Sequence, residues 1–196
     1  EQYTGVNKVP SRCAPLILIP TTSGTGSEVS MFSIMMVDGA KAGVCDQNIT
    51  AHIALVDPKL TLTVPRNVTA STGLDTFCHL LECYISRLAT SMSDMIALEG
   101  IHYVCKYLRK AIGDGSDLEA RYWMSYASSL GGFGPNLVDG CAANHGLAIS
   151  ATDLQMLWCS PMYSLSSARL SLKSCRVLHW LWGWTPLGSA EQSLPE

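Results

Sequence analysis

Gly73-Leu74-Asp75-Thr76-Phe77-Cys78-His79-Leu80-Leu81-Glu82 is the stretch from which fold and chemistry are both read. On an α-helix, residues four apart stack on one face, so Asp75 and His79 project together as two neighbouring ligand groups. A carboxylate oxygen beside an imidazole nitrogen suits iron(II) or zinc better than calcium or copper(I), and Glu82, one turn on, is placed to orient a ligand. The same spacing also arises by chance on amphipathic helices, with the histidine packed and the aspartate solvated. The rest of the chain decides between the two.

With 196 residues, 47% of them hydrophobic, the chain is long enough for one ordinary domain or two small ones, each with a real core. A net charge of -3 without a run of Lys or Arg gives no electrostatic footprint for nucleic acid or an anionic membrane surface, and both are set aside as partners. The eight cysteines (Cys13, Cys45, Cys78, Cys83, Cys105, Cys141, Cys159, Cys175) contain no C-x-x-C pair, so they read as small buried hydrophobes in a reducing compartment. That points to an intracellular protein, cytoplasmic or mitochondrial. No apolar run reaches membrane-span length. The chain opens at Glu1 rather than at a methionine and is expected to be a fragment.

Pro15-Leu16-Ile17-Leu18-Ile19-Pro20 is a short continuous apolar run, which predicts a strand buried on both faces of a parallel sheet. It leads into Thr21-Thr22-Ser23-Gly24-Thr25-Gly26-Ser27-Glu28. Small hydroxyl residues interleaved with glycines let the backbone close on a phosphate or ribose, and the position after a strand is where α/β sheets bind nucleotides. Many surface turns share this composition, and it is neither a P-loop nor a G-x-G-x-x-G fingerprint. Residues 29–36 and 41–45 predict two strands around the turn Val37-Asp38-Gly39-Ala40, and Ile53-Ala54-Leu55-Val56 predicts another buried strand.

From Pro65 onward the pattern is helical. Pro65 and the Ser71-Thr72 hydroxyls predict the start of a helix over residues 75–85. Ser93-Asp94 predicts the cap of a second helix with Leu98, Ile101, Cys105 and Leu108 on one stripe. Asp114-Gly115-Ser116-Asp117 ends that helix and caps a third over residues 118–130, and residues 131–136 predict a break. A run of small residues after Cys141 carries His145, the third candidate ligand. His52 and His102 are expected to be packed or on the surface.

Taken in order, Pro20 to Val29, Ala54-Leu55-Val56-Asp57-Pro58-Lys59-Leu60-Thr61, Thr72-Gly73-Leu74-Asp75 with His79 and Glu82, Leu118-Glu119-Ala120-Arg121, and Asn144-His145-Gly146 resemble the iron-containing (group III) alcohol dehydrogenases. Several ordered motifs at family-like spacing over roughly residues 1–150 are far more specific than any one of them. The resemblance implies an α/β part followed by an all-α part, the architecture shared with dehydroquinate synthase. Residues 1–64 would be the C-terminal part of a Rossmann-like NAD(P)-binding domain, residues 65–150 a truncated helical metal-binding domain, and residues 151–196 a tail without family motifs. It also implies NAD or NADP held across Thr21, Thr22, Ser23 and Thr25, with Lys41 in the place of a cofactor-contacting lysine. Iron(II), or zinc, would be held by an aspartate and three histidines, of which Asp75, His79 and His145 match three. The implied reaction is hydride transfer between a small alcohol or hydroxy acid and NAD(P), the metal polarising the alcohol oxygen. Beyond the metal site no catalytic residue is required, and the protein could form a homo-oligomer.

Three departures from the family pattern are visible. The glycine-rich pyrophosphate loop and the opening βαβ unit would precede residue 1; Ile149 stands where many members carry another histidine; and no Pro-His-Gly run follows His145. Read two nucleotides out of phase, the codons of residues 155–163 permit Asn-Ala-Val-Val-Leu-Pro-His-Val, which is similar to a family run. The tail is therefore expected to be a frameshifted or misspliced product, a hypothesis that an uninterrupted frame in independent transcript clones would overturn. Two alternatives accompany the dehydrogenase reading: a catalytically inactive truncated remnant, and a zinc-dependent enzyme of the glycerol dehydrogenase branch.

Overall fold

Strands come first and helices follow: β1 (Gly5–Val6), β2 (Ile17–Leu18), β3 (Phe32–Val37), β4 (Ala40–Cys45), β5 (Ile53–Ala54), α1 (Arg66–Ile85), α2 (Ser91–Gly113) and α3 (Leu118–Phe133). The structure, a computed structural model, describes residues 2–37 and 39–138. Two units divide the chain, Glu1–Pro161 and Met162–Glu196, and every described residue lies in the first.

The longer sheet has the order β1-β4-β3, with β1 parallel and β3 antiparallel to β4. Gly39, at φ 78°, supplies the left-handed residue that the tight β3–β4 turn requires. The second sheet pairs β2 with β5 in parallel, Ile17 opposite Ile53 and Leu18 opposite Ala54. Here the sequence expectation fails in part. The strands pair in parallel, but Ile17, Ile19, Ile53 and Leu55 are 58%, 49%, 53% and 53% exposed rather than buried on both faces. A parallel strand is dry only where layers cover both sides; here the side carrying Ile17, Ile19, Ile53 and Leu55 is open, whereas Leu16 and Leu18 on the other side are half-buried.

The helices also differ at their ends. α1 starts at Arg66, with Pro65 as its cap, well before the expected residue 75. The Ser71 and Thr72 hydroxyls that suggested a start lie inside the helix and donate to the Val68 carbonyl at 3.1 and 2.8 Å. α2 begins at Ser91 behind a reciprocal Thr90–Ser93 capping box. Its buried stripe is Ala97, Ile101, Val104, Leu108 and Ala111, while Leu98 is left partly exposed. α3 is capped by Asp117, whose carboxylate accepts from the Ala120 N–H at 3.0 Å, and it continues through Gly131 and Gly132, where a break was expected.

Leu74, Phe77, Leu80 and Cys83 of α1 recur at helical spacing and are buried where α1 packs against α2 and α3, and Met124 and Ala127 of α3 are buried as well. Leu80 is fully buried because Gly100 of α2 leaves room for it; a Cβ there would lie 2.5 Å from Leu80 Cδ2. Burying each large aliphatic side chain of this kind contributes about 1.5–3 kcal/mol. Arg121, itself buried, donates to Thr69 Oγ1, the Val64 carbonyl and the Gly115 carbonyl at 2.8, 3.1 and 3.0 Å, tying the start of α1 to the turn before α3.

Candidate functional site

The α1 backbone delivers the expected pair. Asp75 Oδ1 and His79 Nε2 lie 3.8 Å apart, one turn apart on the same face. That is too long for a hydrogen bond, and slightly wider than two ligands sharing one ion at about 2.0–2.2 Å each. His79 Nδ1 is buried and has no hydrogen-bond partner among the described residues. A carboxylate and an imidazole are a donor set that fits iron(II) or zinc; the nitrogen beside Asp75 is Nε2, and the orphaned Nδ1 lies on the other side of the ring. Glu82 is half-buried one turn further on. No third His, Cys, Asp or Glu joins the pair among the described residues. His145 lies outside them. Between the pair, burial, with the Asp75 and Glu82 carboxylates beside it, pushes the Cys78 thiol up to about 12, so it stays protonated at neutral pH.

The hydroxyl and glycine loop after β2 has two sides. Gly24, Gly26 and Glu28 are buried, whereas Thr21, Thr25 and Ser27 are exposed. The buried side is fastened to the helices. A Cβ on Gly24 would lie 2.6 Å from Thr72 Cβ of α1, and Thr76 Oγ1 donates to the Gly24 carbonyl at 3.0 Å. Ser129 of α3 donates to the buried Glu28 carboxylate at 2.7 Å, and Asn136 accepts from the Met31 N–H while donating to the Val29 carbonyl. Ser23 Oγ and Ser125 Oγ share a hydrogen bond at 2.9 Å. Thr21 and Thr25 are exposed, with Thr25 Oγ1 accepting from the Ser27 N–H at 3.3 Å, Thr22 is half-buried, and Ser23 turns toward α3. Lys41 lies on β4 opposite Met36.

The loop leaves the C-terminal end of β2, and Leu55 to Pro58 leave the adjacent C-terminal end of β5, the edge at which parallel sheets bind ligands. A cavity of about 220 Å³ opens there between Val56, Pro58 and the Tyr122, Ser125, Tyr126 and Ser129 face of α3. Ser125 and Ser129 were missed in the sequence. Their only signal is a small-residue stripe at spacings of four and three that ends in Gly132. The two other described histidines stay outside the site: Leu16 N–H donates to His52 Nδ1 at 3.2 Å, and His102 meets Tyr103 edge-on.

Comparison with known proteins bears on this arrangement. A family model described as iron-containing alcohol dehydrogenase matches residues 1–58, and one described as the C-terminal part of the Fe-containing alcohol dehydrogenase family matches residues 69–152. Long-chain-alcohol dehydrogenase 1 of Geobacillus thermodenitrificans (strain NG80-2) is 43% identical over 129 residues, covering 66% of this chain and 33% of the relative. Among solved structures, 1,3-propanediol oxidoreductase superposes with a TM-score of 0.68 at 32% identity, over 70% of this chain and 37% of that one. The sulfoacetaldehyde reductase of Bifidobacterium kashiwanohense, solved in complex with NAD+, gives 0.64 at 36% identity, over 67% and 36%. The chain spans about a third of the length of the curated relatives it matches.

Proposed function

The chain belongs to the iron-containing alcohol dehydrogenase family, and on that premise we propose that its residues serve NAD(P)-linked interconversion of a small alcohol or hydroxy acid and its carbonyl compound. Residues 1–64 form part of the nucleotide-binding domain and residues 65–150 the metal-holding helical domain. Thr21 and Thr25 present hydroxyls to the cofactor at the ends of the parallel strands, Ser23 is steadied by Ser125, and Lys41 brings a cation to the phosphates. The NAD+ bound to the related sulfoacetaldehyde reductase supports a nicotinamide cofactor. Asp75, His79 and His145 hold iron(II) or zinc, which when bound supplies the Lewis acidity that polarises the substrate oxygen.

The observation that carries this reading is the Asp75–His79 pair, with Asp75 Oδ1 and His79 Nε2 3.8 Å apart on one helix face. It is tested by anaerobic calorimetry with iron(II) and with zinc on this chain and on His145→Ala. One-to-one binding that the variant loses supports the three-ligand site. Absence of binding with either metal overturns it. A preference for zinc favours the glycerol dehydrogenase branch. The bare aliphatic face of β2 and β5 favours a second reading, a catalytically inactive remnant, which NAD(P)-linked turnover by this chain would exclude.

A further inference from the structure

Thr76 follows Asp75 on α1, one turn before the helix reaches His79, and its side chain is fully buried. Two carbonyls lie within reach of its Oγ1, that of Gly24 at 3.0 Å and that of Thr72 at 3.3 Å. A hydroxyl has one proton to give, so it serves one of them. The Thr72 carbonyl already has a donor in the helical ladder, the Thr76 N–H four residues on. No other donor reaches the Gly24 carbonyl among the described residues, and Gly24 is buried. A buried carbonyl without a donor is costly, so the proton belongs to Gly24.

That bond fixes the direction of a whole peptide group. The Gly24–Thr25 peptide is trans, and in a planar trans peptide the carbonyl and the N–H point in opposite directions. With the Gly24 carbonyl turned onto α1, the Thr25 N–H points away from α1. Thr25 is exposed, and its N–H meets no acceptor among the described residues. The residues on either side of the bond are seated as well. A Cβ on Gly24 would lie 2.6 Å from Thr72 Cβ, and Ser23 Oγ shares its hydrogen bond with Ser125 of α3. Turning the peptide over would strip the buried carbonyl of its donor and swing the N–H inward.

We propose that Thr76 is a positioning residue for the cofactor: by holding the Gly24 carbonyl inward it presents the Thr25 N–H as a fixed donor to an oxygen of NAD(P). This rests on the assignment of the loop to the cofactor made above. Thr76 itself touches no cofactor and acts only through the loop. A donor held in place before binding spares the cofactor the cost of ordering it. The turn of α1 that carries the metal-ligand pair thereby also sets the cofactor loop.

Titration of the full chain with NAD+ and separately with NADP+, followed by heteronuclear NMR, tests this on the wild type, Thr76→Val, Thr76→Ala and Thr76→Ser. Before any cofactor is added, the Gly24 carbonyl and Thr25 amide resonances are expected to move in the valine and alanine variants and to stay near their wild-type positions in the serine variant, which keeps the hydroxyl. As cofactor is added, the Thr25 amide is expected to move in the wild type. Affinity is expected to fall by about tenfold in the valine and alanine variants and to be retained by serine. Unchanged affinity in the valine and alanine variants overturns the proposal. An equal loss in the serine variant also overturns it, since packing and not the hydroxyl would then be responsible. Should the valine and alanine variants fail to fold, the wild type still decides: a Thr25 amide that stays still while a nucleotide saturates the chain overturns this proposal alone. Binding of neither nucleotide by the wild type overturns the cofactor reading of the loop and this proposal with it.

Discussion

Gly26 and Gly132 meet backbone to backbone: a Cβ on Gly26 would lie 2.5 Å from the Gly132 nitrogen, and one on Gly132 would lie 2.6 Å from the Gly26 carbonyl carbon. The hydroxyl and glycine loop is thereby seated on α3, with Gly26 at φ 59°. Glycines that read as giving close access to a phosphate also give close access to a helix. Gly132→Ala is expected to cost about 1–3 kcal/mol through overpacking against backbone that has no side chain to move aside. Urea denaturation followed by circular dichroism reads this as a lowered midpoint; an unchanged midpoint would show that the loop does not sit on α3.

Arg121 is buried against three neutral oxygens. Burial pulls its guanidinium below the ordinary value, and its hydrogen bonds to Thr69, Val64 and Gly115 satisfy the charge. Arg121→Ala leaves these acceptors without their donor and is expected to destabilise the chain by about 3 kcal/mol. Arg121→Lys, a point charge without the planar fork, is expected to recover only part of that loss. Equal stability of both variants and the wild type would remove Arg121 from the junction.

The order of strands and helices was legible because periodicity and turn chemistry are local: Asp38-Gly39 announces the β3–β4 hairpin, and Asp117 announces α3. What was not legible depends on partners distant in sequence. Nothing in Ile17 or Ile53 says whether a layer covers it. Gly131-Gly132 looks like a break because the helix cost of glycine is local, whereas the contact that uses Gly132 comes from Gly26. Ser71 and Thr72 mimic a cap since their hydroxyls can satisfy carbonyls inside a helix equally well. At the site, the Asp75–His79 spacing could be read directly, but the hold of Ser125 on Ser23 and of Ser129 on Glu28 could not.

Metal binding to the α1 pair should appear as stability. A ligand that binds only the folded chain raises unfolding free energy by about 2.7 kcal/mol at a hundredfold excess over its dissociation constant. Thermal melts in rising zinc are expected to shift upward for the wild type and to stay fixed for Asp75→Ala and for His79→Ala. A shift that survives both substitutions would place the metal elsewhere.

Cys105 gives stability a dependence on alkaline pH. Burial pushes its thiol from 9.0 up to about 11, with Arg109 opposing the shift. In the unfolded chain the thiol ionises near its ordinary value, so between those two pH values the unfolded state has released a proton that the native state keeps. Raising the pH therefore favours unfolding: the contribution is fully present below pH 9.0 and is lost as pH rises toward about 11. Cys105→Ala is expected to flatten that part of the stability curve relative to wild type. Parallel curves for the two proteins would mean that the thiol titrates alike in both states.

Ile17 and Ile53 face each other in register on the parallel pair β2 and β5, and Ile19 and Leu55 extend the same side. Paired residues in a parallel sheet point to one face, so the four make one aliphatic patch, each about half exposed. Such a patch binds environment-sensitive hydrophobic dyes and promotes association at high concentration. Ile17→Lys and Ile53→Thr leave the backbone pairing intact and remove apolar area from that face. Both are expected to lower dye fluorescence and raise the concentration at which the chain precipitates, without lowering helical content. Unchanged dye binding in the double variant would mean that the patch is covered in solution by some other part of the protein.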